Sequence, residues 1–110
     1  MRRNLMCAML SAGLLAGAAA AAAPPQAVTV KMTQESFVPD TSTVNVGATI
    51  TWTNNDTVPH SVTANDGKFD SGPILPGKTY QWTAKEAGVI AYHCIFHPSM
   101  TAQVMVGAKP

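Results

Sequence analysis

Thr49-Ile50-Thr51-Trp52-Thr53-Asn54-Asn55-Asp56 alternates polar and apolar side chains for five residues and then breaks into a run of turn formers. Successive side chains of a strand point to opposite faces, so Ile50 and Trp52 share one face and the threonines the other. Asn and Asp side chains fold back on their own backbone, so Asn54-Asn55-Asp56 ends the strand in a turn. The same grammar repeats in both directions. Upstream, Val28-Thr29-Val30-Lys31-Met32 puts Val28, Val30 and Met32 on one face, and a bend follows at Phe37-Val38-Pro39-Asp40. Val44 and Val46 open the next strand, which Gly47 turns. Downstream, His60-Ser61-Val62-Thr63-Ala64 runs into a tight turn at Asn65-Asp66-Gly67, and Pro76-Gly77 suits the centre of a type II turn. Thr79-Tyr80-Gln81-Trp82-Thr83, a turn at Glu86-Ala87-Gly88, and segments from Val89 to Cys94 and from Thr101 to Val106 complete the set. No window sustains a 3.6-residue apolar period. Seven to eight short strands with regular turns predict an all-β domain, a β-sandwich. The apolar strand faces offer Trp52, Tyr80, Trp82 and Tyr92 or Phe96 to the space between the sheets without fixing which of them is interior, and Met32 and Met105 are expected in the core.

The first two dozen residues follow another pattern. Met1-Arg2-Arg3-Asn4 is a short basic start, and Leu5 to Ala23 is apolar and rich in Leu, Met and Ala before Pro24-Pro25. That is the anatomy of a secretory signal peptide, which predicts residues 1–22 as signal, 23–27 as linker and 28–110 as the domain. An uncleaved anchor fits less well, because alanine is weakly apolar and Gly13 and Gly17 interrupt the run. Arg2-Arg3 resembles a twin-arginine export signal, and general secretion serves equally well. The expected product is a periplasmic or otherwise exported monomer with no stable membrane insertion. Removing 22 of the 110 residues leaves 88, enough for one small domain of net charge −1. The whole chain carries +1 with only 12% charged residues, so it lacks the basic stripe that nucleic-acid binding requires.

Cys7 lies inside the signal, which leaves Cys94 as the domain's one thiol and rules out an internal disulfide. A lone Cys in an exported chain is a dimer link, a reactive thiol, or a buried and occupied one. Its neighbourhood, Tyr92-His93-Cys94-Ile95-Phe96-His97-Pro98-Ser99-Met100, sets Cys94, His97 and Met100 three residues apart directly after a strand. His60 lies 34 residues upstream of Cys94. Two His, one Cys and a weak axial Met form the trigonal set that selects copper for electron transfer. Thiolate and thioether favour Cu(I), imidazole suits both oxidation states, and a compromise geometry leaves little to rearrange when one electron moves. Strand alternation puts His93 on the face opposite Cys94, so it is left out of the site.

These segments resemble the cupredoxins, the type 1 blue copper proteins, and are most similar to the amicyanin and plastocyanin-like members. Trp52-Thr53-Asn54 followed by Val58-Pro59-His60 resembles the segment of the first histidine ligand. Glu86-Ala87-Gly88 through Cys94 to Met100 resembles the second ligand segment, in its short Cys-x-x-His-x-x-Met form. The resemblance implies a Greek-key β-sandwich and one copper ion held by His60, Cys94, His97 and Met100. It also implies redox partners docking near His97, beside Pro59 and Pro98, with a dehydrogenase donor and a c-type cytochrome acceptor as the family's pattern. Two positions depart from the family. Ser61 stands where Asn usually follows the first ligand, and Ile95 where Thr or Ser usually follows the Cys. Their joint change predicts loss of the hydrogen bond that commonly ties the two ligand loops, with the Ser61 N–H still within reach of the thiolate.

Single-electron shuttling is thus the expected function, without enzymatic activity. A Cys–His pair can make a nucleophile, but 88 residues leave no room for a substrate domain and give the Met no task. The alternative is a periplasmic copper carrier or store. Such a protein would hold Cu(I) in an exposed, Met-rich site, whereas only Met32, Met100 and Met105 follow the signal. A structural zinc site is disfavoured because a thioether binds zinc poorly.

Overall fold

A computed structural model describes residues 26–108. The predicted signal and most of the predicted linker therefore lie outside the described residues. Eight strands and no helix occur among those described: β1 (Ala27–Thr33), β2 (Ser36–Val38), β3 (Thr41–Asn45), β4 (Thr49–Asn54), β5 (Thr63–Ala64), β6 (Thr79–Thr83), β7 (Gly88–Cys94) and β8 (His97–Gly107). They form two four-stranded sheets, ordered β2-β1-β4-β6 and β3-β8-β7-β5. β1 pairs with β4 and β3 with β8 in parallel, and the remaining pairs are antiparallel.

Alternation explains the layering. Val30 and Met32 of β1, Ile50, Trp52 and Asn54 of β4, Ser42 and Val44 of β3, and Ile90, Tyr92 and Cys94 of β7 are buried, while most of their neighbours are not. The two inner faces meet in one core that also takes in Phe37, Val62, Phe69, Ile74, Val104 and Val106. Trp52 and Tyr92 stand edge to face with ring centroids 5.6 Å apart, and the Trp52 Nε1–H donates to the Tyr92 hydroxyl at 3.1 Å. This bond crosses from one sheet to the other at their centre. Burial pushes the Tyr92 phenol up to about 12, against the opposing effect of the Trp52 hydrogen bond.

Several expectations need correction. Tyr80 and Trp82 are only half-buried, and of Tyr92 and Phe96 it is Tyr92 that lies in the interior while Phe96 is exposed. Met32 is core, but Met105 is 40% exposed on the outer face of β8. The predicted bend at Phe37 contains strand β2, which forms a hairpin with β1 across Gln34-Glu35, both at positive φ. β3 starts at Thr41, ahead of the predicted Val44, because the buried Ser42 rather than Val46 continues the inward phase. The Ser42 hydroxyl is buried with no hydrogen-bond partner among the described residues. Finally, only Thr63–Ala64 of the predicted His60–Ala64 strand is a strand. His60, Ser61 and Val62 are buried in succession, which an alternating strand with one solvent face does not allow.

Candidate metal centre

Cys94 ends β7 and His97 begins β8, with Ile95-Phe96 as the two-residue turn between them. The two residues pair across the hairpin, so their side chains leave the same face. Beyond this pair, Thr101 faces His93, so Pro98, Ser99 and Met100 have no partner on β7. This bulge lets β8 leave and rejoin the ladder, and it buries Met100 to 2% exposure.

His60 arrives from the other direction, on the long connection between β4 and β5. Its backbone exchanges both hydrogen bonds with Ile74, at 3.1 and 2.7 Å, in an isolated antiparallel bridge. Asn54, wholly buried at the end of β4, shapes this loop. Its Nδ2 donates to the carbonyls of Val58 and Ile74, each at 2.8 Å, and its Oδ1 accepts from the Asp56 N–H at 2.9 Å.

One donor atom each from His60, Cys94 and His97 lies within 4.8 Å of the other two. Cys94 Sγ is 3.7 Å from Nδ1 of His60 and 3.7 Å from Nδ1 of His97. A first-row metal ion held at about 2.3 Å from sulfur and about 2.0 Å from nitrogen, at roughly 120°, separates those donors by about 3.7 Å. The spacing thus fits a trigonal ion, and the soft thiolate with two imidazoles fits copper. His60 and Cys94 are wholly buried, whereas the His97 side chain is 22% exposed. One histidine is enclosed and the other reaches the surface.

The surroundings fix the donors. The Nε2–H of His60 donates to Asp56 Oδ2 at 2.6 Å, which leaves Nδ1 unprotonated and facing Cys94. The Asp56 carboxylate also accepts from the N–H groups of Gln34 and Glu35, at 2.7 and 3.1 Å. Partial burial pushes this carboxyl up, but the Glu35 and Gln34 amides and His60 outweigh burial and hold it below its usual value. Nε2 of His97 lies 4.0 Å from Glu35 Oε1. The Ser61 N–H donates to Cys94 Sγ at 3.3 Å, as expected from the sequence.

The expected loss of the tie between the ligand loops is overturned. The Ser61 hydroxyl accepts from the Ile95 N–H at 2.9 Å, so a side chain on one loop ties to the backbone of the other. His93 stays out of the cluster, with Nδ1 2.6 Å from Asn65 Oδ1. Asp56 and Glu35 were missed by sequence reasoning. Asp56 reads as one member of a turn run, and its place four residues before His60 is the only local signal.

Comparison with known proteins agrees with this geometry. The cupredoxin-like domain family matches residues 5–106. Amicyanin-alpha of Methylorubrum extorquens is 33% identical over 103 residues, covering 87% of either chain. Among solved structures, a purple cupredoxin from Nitrosopumilus maritimus superposes with a TM-score of 0.66 at 30% identity, covering 73% of this chain and 99% of that one. The Cu(I) form of an amicyanin methionine variant superposes with a TM-score of 0.70 at 29% identity, covering 77% and 86%. With its two-sheet fold and its Cys-His hairpin, the chain belongs to the cupredoxin-like family.

Proposed function

We propose that the protein is an exported blue copper electron carrier, in which His60, Cys94, His97 and Met100 would hold one copper ion. The observation that carries this reading is the equal 3.7 Å spacing of Cys94 Sγ from two histidine Nδ1 atoms, in a pocket where the thiol is wholly buried. Bound copper supplies a one-electron Cu(II)/Cu(I) couple. The protein's part is to hold the donors still. Asp56 fixes the tautomer of His60, the hairpin fixes Cys94 against His97, and the Ser61 N–H balances charge on the sulfur. Little then has to move when the electron arrives.

His97 gives the centre its exposed edge, and apolar side chains stand on the segments that deliver the donors. Val58 precedes Pro59-His60, Leu75 follows the Ile74 bridge, and Ile95 and Phe96 make the turn; all four are exposed. An apolar surface around a partly exposed ligand suits brief docking with another redox protein. The fixed, enclosed thiol argues against a carrier or store that must release its metal. The signal peptide and a periplasmic location belong to the same reading, which the amicyanin similarity supports.

The test is electron exchange of the copper-loaded protein with a c-type cytochrome, followed by stopped-flow absorbance. Second-order exchange that fully oxidises or reduces the protein according to the difference in potentials is expected. Copper that passes to a chelator faster than its electron passes to the cytochrome would contradict the reading.

A further inference from the structure

The Ser61 hydroxyl is one link in a chain that runs out of the metal centre. The Ile95 N–H lies 2.9 Å from Ser61 Oγ, Ser61 Oγ 2.9 Å from Thr63 Oγ1, and Thr63 Oγ1 3.1 Å from Asp70 Oδ1. The same Asp70 oxygen accepts from the Gly72 N–H at 3.1 Å. The chemistry of the groups gives this chain a single direction. A carboxylate only accepts, so the Thr63 hydroxyl donates to Asp70. The Thr63 oxygen then accepts the Ser61 hydroxyl proton, and the Ser61 oxygen accepts from Ile95. Each hydroxyl is polarised by the next, and the last bond is charge-assisted.

We propose that Thr63 and Asp70 are positioning residues for the metal centre, acting through Ser61 to hold both sides of the Cys94 sulfur. This rests on the copper-centre reading above. With its proton committed to Thr63, the Ser61 hydroxyl is locked as an acceptor and pins the first residue of the turn between Cys94 and His97. The backbone of the same Ser61 delivers the N–H to Cys94 Sγ. The relay therefore backs the Ser61–Ile95 tie with a string of short side chains ending at the surface. Thr63 is anchored independently, paired with His93 of β7 and bridged to Asp70.

The N–H donated to sulfur compensates negative charge, and the reduced centre carries one negative charge more than the oxidised one. Loosening Ser61 must therefore disfavour the reduced state and lower the reduction potential.

The test uses the full chain with Thr63→Val, Thr63→Ser and Asp70→Ala. Two quantities are read: amide hydrogen exchange at Ile95 in the metal-free protein, and the reduction potential of the copper-loaded protein. Thr63→Val is expected to speed Ile95 exchange about tenfold and to lower the potential. Thr63→Ser, which keeps the hydroxyl, should restore both to wild-type values. Asp70→Ala, at an exposed position, should speed Ile95 exchange as Thr63→Val does; the potential is read only in the two Thr63 variants, because loss of the Asp70 charge by itself favours the reduced state. The proposal is overturned if Thr63→Val or Asp70→Ala leaves Ile95 exchange unchanged, or if Thr63→Ser moves it as far as Thr63→Val. It is also overturned if core amides such as Trp52 speed up equally, since that marks general destabilisation. Should wild-type protein fail to form a copper–thiolate band, the copper reading fails by itself, and Ile95 exchange still decides the relay.

Discussion

Two polar side chains, the partly buried Asp56 and the buried Ser42, show how differently such groups behave when partnered and unpartnered. The Asp56 carboxylate takes hydrogen bonds from two backbone amides and one imidazole, and through the imidazole it orients the His60 donor atom. Asp56→Asn keeps the shape and removes the charge. Copper affinity is expected to fall at least about tenfold, and the reduction potential to rise because a nearby negative charge favours Cu(II). Chelator competition and voltammetry check both; an unchanged affinity would show that Asp56 is only a loop staple. The Ser42 hydroxyl, by contrast, is buried in β3 without a partner. Ser42→Ala should raise unfolding stability by about 1 kcal/mol in urea titrations, since it removes a desolvated group that bonds to nothing. A loss of stability would mean that the hydroxyl is satisfied.

Turns decide where the elements deliver the donors. Leu75-Pro76-Gly77-Lys78 closes with Lys78 N–H on the Leu75 carbonyl at 3.0 Å, with Gly77 at φ 81°, as the type II reading of Pro76-Gly77 requires. This turn holds Ile74 against His60, and the Gly77 N–H also donates to the Asn54 carbonyl at 2.8 Å. Gly77→Ala forces a side chain into the left-handed region and should cost about 1–2 kcal/mol, read by chemical denaturation. The legibility of the sequence follows the same division. Thr49–Thr53 and Thr79–Thr83 were readable because each has one inward and one outward face. The His60–Ala64 segment was misread because His60 goes to the metal site, Ser61 lies under the Ile95 turn and Val62 enters the core. Three consecutive inward jobs erase any period. The Cys94, His97 and His60 set was legible from residue type and spacing. Their partners Asp56, Glu35 and Thr63 were not, since their roles depend on loops meeting across the sheet edge.

At the scale of the molecule, the two sheets are joined at the centre by Trp52 and Tyr92, two residues from Cys94 on the same face of β7. Folding raises the Tyr92 phenol from 10.0 to about 12. The unfolded chain therefore loses its proton first, and the contribution of this group is intact below pH 10. It is then lost progressively as pH rises from about 10 to about 12. Unfolding free energy should fall across that window by up to about 3 kcal/mol, and Tyr92→Phe should flatten the fall. A wild-type profile that is flat to pH 12 would contradict the buried setting of the phenol. Copper acts on the same equilibrium from the other end of the core, because the donors converge only in the folded chain. Free copper at about a thousand times its dissociation constant should add about 4 kcal/mol. The most direct test of the copper centre is a visible spectrum of the protein titrated with Cu(II), then treated with ascorbate, beside Cys94→Ser. The account predicts an intense thiolate-to-copper band that saturates at one equivalent, bleaches on reduction and is absent from Cys94→Ser. A colourless protein, a band that keeps growing past one equivalent, or one that survives in Cys94→Ser would contradict it.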